Sequence, residues 1–270
     1  MKSRKMIQSR CQLIGLVVLS LCTILSAGAA PANETIVLTQ KCQAIGGVHT
    51  IYLGKSNVRI EAPSLIIFAQ GPKWVVTVLN PRKKIYFQSD YKTCLKLIRA
   101  ARTPFSSIVD SSSFNWRKLP GEKIAGLSSD EWCSDSPDDS HSKSSVKFWT
   151  DADPKFAPQS AEIMGAYYGL PSIGHGFPLR FFYKGTENSL LPLATRHYDD
   201  DGRRQQEYRW LDTTSIKEMP ATPALFAVPT GCKPTKEYAE IAVATDIDNA
   251  GTRSILKDLL KNPDSLFNSR

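Results

Sequence analysis

Few side chains in this 270-residue sequence are placed to do covalent chemistry. Beyond the first thirty positions the histidines are His49, His141, His175 and His197, too scattered for a shared metal or a triad. His175, flanked by Gly174 and Gly176, is the one to test as a base, by way of an Asp or Glu neighbour. His49 and His197 lie in strand-like contexts, where a histidine satisfied inside the fold is expected. Asp138, Asp139 and His141 carry ligand atoms, but their serine-rich surroundings offer no rigid element to hold them. Asp199-Asp200-Asp201-Gly202 starts like a calcium loop, then runs into Arg203-Arg204 where further oxygen ligands and a closing Glu are needed. Turn chemistry explains it better. Glu122, Asp130, Asp151 and Asp153 show no paired-carboxylate spacing. No GxxxxGK[ST], GxGxxG, GxSxG or HExxH pattern occurs. The expectation is a protein that is not an enzyme, with no cofactor and no metal; an enzyme built on His175 is the alternative.

Cys42, Cys94, Cys133 and Cys232 are the remaining reactive groups. No CxxC pairs them, which argues against zinc and thioredoxin chemistry. Two disulfides are expected, in any of three connectivities. That reading depends on export, for which residues 1–29 argue. Lys2, Arg4, Lys5 and Arg10 precede an apolar run from Leu13 to Leu25, and Ala27-Gly28-Ala29 supplies small residues for cleavage. The run is short for a membrane span, which takes about 20 residues. The mature chain is expected in the periplasm or outside the cell, tethered to the membrane if the segment stays uncleaved. Loss of its four basic residues lowers the formal charge from +8 to +4. That is a solubility margin, not a nucleic-acid footprint, so no nucleic acid is expected as partner; attraction to a membrane surface is compatible with it.

The elements that would position any site are mostly strands. His49–Leu53, Asn57–Ile60, Leu65–Ala69, Trp74–Leu79 and Ile85–Gln88 are rich in β-branched and aromatic residues, and several alternate with period two. Short turns at Gly54-Lys55-Ser56, Gly71-Pro72 and Asn80-Pro81-Arg82 imply an antiparallel meander. Glu34–Ile45 reads as helix or strand. Asp90–Ala101 reads as a helix capped by Asp90, and Ala157–Leu170 as another ending at Gly169. Further strands are expected at Ile124–Cys133, Val146–Thr150, Pro178–Tyr183 and Ala224–Val228, with a hairpin of Leu190–Tyr198 and Arg204–Ile216 around Asp200-Asp201-Gly202. Ser134–Ser145 reads as a solvated tip, and Thr252–Lys261 as a terminal helix. The class is α+β, one large antiparallel sheet with a few helices. The domains are 1–29, a signal peptide; 30–235, the sheet domain; and 236–270, a C-terminal helical tail.

Aromatic residues concentrate on these strands. They fit either an ordinary core or the lining of an apolar cavity between a curved sheet and its helices. Trp74, Trp149, Phe181, Tyr183 and Trp210 are the ligand-binding candidates for such a cavity.

The order of motifs resembles a family. Ile124-Ala125-Gly126, Trp132-Cys133, Phe148-Trp149-Thr150-Asp151, Gly176-Phe177-Pro178-Leu179-Arg180 and Leu225-Phe226-Ala227-Val228-Pro229 follow the pattern of exported proteins related to the LolA/LolB lipoprotein carriers. A strand with Arg59, a strand with Trp74 and Pro81–Tyr86 continue the resemblance over about 42–235. It implies a single curved antiparallel sheet, a half-barrel, with helices on the concave face and an apolar surface that holds acyl chains. The expected function is therefore a non-catalytic exported envelope protein that binds a lipid, an acyl chain or a lipoprotein. A structural or protein-interaction module of the envelope, without a small-molecule ligand, is the alternative.

Overall fold

The period-two stretches of the first half form a run of neighbouring strands. A computed structural model of the chain describes residues 34–43, 45–101, 115–135, 145–170, 173–184, 207–220 and 222–242. Strands β1 (Glu34–Cys42), β2 (Val48–Gly54), β3 (Asn57–Glu61), β4 (Ile66–Gln70), β5 (Val75–Asn80) and β6 (Ile85–Ser89) pair in sequence order. The second half adds β7 (Arg117–Ile124), β8 (Leu127–Asp135), β9 (Ser145–Asp151), β10 (Pro178–Lys184) and β11 (Glu207–Pro220). The two meanders join where β1 pairs with β11, so the first strand lies in the middle of the sheet. A two-residue strand β12 (Lys233–Pro234) adds parallel to β6, and every other neighbouring pair among the described residues is antiparallel.

Alternation sets the buried face. Leu53, Val58, Ile60, Ile67, Ala69, Val76 and Val78 share one side and are almost wholly buried. Helices α1 (Tyr91–Ala101) and α2 (Pro158–Tyr168) cover that side and touch each other. Asp90 caps α1, its Oδ1 accepting the Thr93 N–H at 3.0 Å. Cys94, Leu95 and Ile98 then point into the core. Pro158 opens α2, and Gly169, at φ 66°, closes it with Leu170 N–H donating to the Gly165 carbonyl at 2.8 Å. Ile163, Met164, Tyr167 and Tyr168 of α2 are buried, each contributing about 1.5–3 kcal/mol of burial.

The sheet is curved. α2 touches both β3 and β10, which stand four places apart. In a flat sheet those strands would be about 19 Å apart, wider than a helix of about 10–12 Å. The class read from the sequence, one large, mostly antiparallel sheet with a few helices, is the class observed.

Several local expectations are corrected. Ile124–Cys133 is not one strand: Ala125 and Gly126, at φ 47° and 98°, turn the chain between β7 and β8. Ala224–Val228 is not a strand either, because Pro223–Phe226 forms a 3-10 helix on the outer face. There Arg59, on the side of β3 away from the core, donates to the Leu225 carbonyl at 2.7 Å and to Glu61 Oε1 at 2.6 Å. Among the described residues the expected disulfides are absent: no bridge joins any two of Cys42, Cys94, Cys133 and Cys232. They fall at the end of β1, in α1, in β8 and before β12. With no bridge formed, the cysteines carry no information about compartment. Burial pushes the Cys94 thiol up to about 12, the Asp90 charge adding to it. The tail expected from 236 begins with a short helix α3 (Tyr238–Ala242), whose Tyr238 meets Phe87 edge to face. The segment 1–29, the strand 190–198 with its turn, the insert 136–144 and the helix 252–261 lie outside the described residues.

Candidate functional site

The link between α2 and β10 is built around two glycines. Gly174 sits at φ 69° with its α-carbon against the Trp132 indole, so a Cβ there would come within 3.0 Å of that ring. Gly176 lies flat on β9: a Cβ would stand 2.8 Å from the Asp151 nitrogen and 2.9 Å from its carbonyl carbon. The Asp151 N–H donates to the Phe177 carbonyl at 3.1 Å, fastening the link to the sheet. His175 is thereby held outward and exposed.

Beside the link lies a cleft of about 260 Å³, on the helix-covered face. Its walls are Phe148 of β9, Pro158, Ala161 and Gly165 of α2, Ile173 and Gly174 of the link, and Pro178 of β10. Glu162 and His175 are the two titratable groups lining it. Glu162 is the one charged residue of α2. The Tyr91 hydroxyl, at the start of α1, donates to Glu162 Oε2 at 2.6 Å and ties the two helices together. Burial, the hydrogen bond and the Glu162 charge all push the Tyr91 phenol far up, so it stays a donor. The start of β10 is anchored from below. Gln40 Nε2 donates to the Pro178 carbonyl at 2.8 Å and to Thr213 Oγ1 at 2.9 Å, and Thr213 donates to the Leu179 carbonyl at 2.6 Å. Asp151, beneath Gly176, is buried, which raises its carboxyl above the usual range against the lowering effect of the Asp153 N–H.

A second, more open cleft of about 340 Å³ lies on the other face, between Phe226 of the 3-10 helix and Phe68, Gln70, Val75, Thr77 and Gln88 of β4–β6.

The five aromatic candidates line neither cleft. Phe181 and Trp210 pack together in the core at 6.3 Å, and Phe181 meets Phe148 at 5.8 Å. Tyr183, two residues along, shares their side. Trp149 points the other way, onto Phe182 at 5.3 Å, with Lys147 and Arg180 over its ring. Trp74 sits in the β4–β5 turn against Tyr91. His49 is structural, buried and stacked on Tyr168, its Nδ1 3.3 Å from the Tyr168 hydroxyl. His141 and His197 lie outside the described residues. Sequence reasoning missed Glu162, although one signal was present: a single charge in the otherwise uncharged helix PQSAEIMGAYY. Among the described residues no acid, His and Cys group could hold a metal ion, and no helix is long and apolar enough to cross a membrane.

No family model matches the chain, and no curated protein does. Among solved structures the chain is similar to an uncharacterized conserved protein from Thermus thermophilus, with 9% identity and a TM-score of 0.34 over 76% of this chain and 91% of that one. It is also similar to a protein domain named for outer membrane lipoprotein sorting, from Vibrio parahaemolyticus, with 11% identity and a TM-score of 0.24 over 76% of this chain and 93% of that one.

Proposed function

We propose that the protein is a non-catalytic binding module that takes a short apolar chain into the cleft between α2 and the 173–178 link. One observation carries this: a cleft of about 260 Å³ with apolar side chains from β9, α2, the link and β10, and polar side chains only at Glu162 and His175. That volume lies just below the roughly 300–1,000 Å³ of drug-sized sites, so it fits one chain or one small amphiphile rather than a whole lipid. We further propose that the chain is exported on the strength of residues 1–29, and that its ligand comes from a membrane lipid or a lipoprotein. The test is displacement of a fluorescent naphthylamine probe by decanol, alongside mass spectrometry of lipid extracted from the purified protein. Wild type is expected to bind the probe, and Ala161→Trp, which fills the cleft, to lose at least about tenfold in affinity with an unchanged melting curve. No probe binding and no co-purified lipid would overturn the reading.

The second reading, a structural or protein-interaction module of the envelope, is favoured by the dense filling of the concave face by Ile163, Met164, Tyr167 and Tyr168. Under it, cross-linking recovers a protein partner and the probe does not bind.

A further inference from the structure

We propose that the α2 cleft selects single-chain amphiphiles with a primary-amine head over those with a carboxylate head, through Glu162. This rests on the cleft-binding reading above and names its ligand class.

Glu162 stands alone as an acid among the apolar walls formed by Phe148, Ala161 and Ile173. Its Oε2 is occupied by the Tyr91 hydroxyl, which fixes the carboxylate in one orientation. Among the described residues Oε1 accepts no hydrogen bond, and no cation forms an ion pair with Glu162. Among the described residues the cleft therefore presents a half-buried carboxylate with one donor, the Tyr91 hydroxyl, and the positive charge of Arg99 is felt at that phenol. An alkylammonium whose chain lies against the apolar walls supplies both a further donor and the opposite charge. A fatty-acid carboxylate in the same pose brings a second negative charge to a few ångströms from the first, where screening by water is incomplete. An alcohol head donates without charge and falls between them. His175, the other titratable group lining the cleft, is exposed at its rim. The comparison is made at about pH 8, where an alkylamine head is an ammonium and a fatty-acid head a carboxylate.

The experiment compares decylamine, decanol and decanoate, matched in chain length, by probe displacement and calorimetry on the purified protein at low salt. The expected order is decylamine, then decanol, then decanoate, with the amine at least about tenfold tighter than the acid. Glu162→Gln, which keeps an oxygen acceptor for the Tyr91 hydroxyl but no charge, is expected to bring the three within about threefold, with its melting curve recorded alongside. Decanoate binding as well as decylamine, or a preference that survives in Glu162→Gln, overturns the selectivity alone. Failure of all three to bind overturns the cleft reading and the selectivity with it.

Discussion

Gly176→Ala tests the link that builds the cleft. The added methyl would fall inside the contact sphere of the Asp151 carbonyl and only 2.8 Å from the Asp151 nitrogen. Both are backbone atoms in a paired strand, so no rotamer change relieves the contact and the link must lift. Lifting breaks the bond from Asp151 N–H to the Phe177 carbonyl, worth about 1 kcal/mol. It also uncovers part of Phe177, now 2% exposed and edge to face with Phe156 at 5.9 Å. Losing half of that burial costs about 1–1.5 kcal/mol more. The sum, about 2–2.5 kcal/mol, corresponds to a fall in Tm of about 4–10 °C for a chain of this size. Gly174→Ala is the comparison: its left-handed backbone costs about 1–2 kcal/mol, but the atoms it meets belong to a side chain that can give way. Thermal melts followed by circular dichroism, with probe binding measured on the same samples, give both readouts. Gly176→Ala is expected to be the more damaging of the two and to weaken the probe several-fold, because Ile173 and His175 move with the link. If Gly176→Ala melts and binds like wild type, the link does not rest on Asp151 and the cleft geometry is wrong.

Two further outcomes follow from buried groups. Asp151 has its carboxyl raised by burial, so the folded state holds that proton to higher pH than the unfolded chain and loses stability as pH climbs from the unfolded value through the folded one. Asp151→Asn removes the penalty and is expected to melt higher than wild type at neutral pH, the gap closing toward about pH 3.5; equal melting at neutral pH would refute this. For the cysteines, brief iodoacetamide treatment of native protein is expected to label the half-buried Cys133 and Cys232 and to spare Cys94, whose thiol is buried and raised to about 12. Denatured protein without reductant is expected to take a label at each of Cys42, Cys94, Cys133 and Cys232, and a miss at any pair of them would reinstate a disulfide.

The sequence spoke clearly where a strand is buried on one side only. Val58 and Ile60, or Val76 and Val78, alternate because one face meets helices and the other does not. β7 lacks that pressure: RKLPGEKI is an edge strand, exposed over most of its length, and reads as loop. Leu225-Phe226 looks like strand by composition, yet Pro223 begins a helical turn there and Arg59 holds it on the outer face. The face of Trp149 was not legible, since it depends on register and on the bulges between β9, β10 and β11. Nor was the cleft, whose lining comes from Phe148, from α2 and from the 173–178 link, or the hydrogen bond by which Tyr91 reaches Glu162 across 71 residues of sequence.

The central place of β1 has a consequence for how the molecule assembles. Ile36–Lys41 pair with Val48–Leu53 on one side at once, but all nine residues of the strand pair on the other side with 211–220, part of the last long strand to be made. Until that segment arrives, β1 presents a bare row of amide and carbonyl groups, open to any neighbouring polypeptide. Closure between such distant segments is slow on topological grounds. The nascent molecule therefore passes through a period in which half of its sheet is formed and sticky, and a chaperone that shields this seam would raise the yield of folded protein more than one that stabilises either meander.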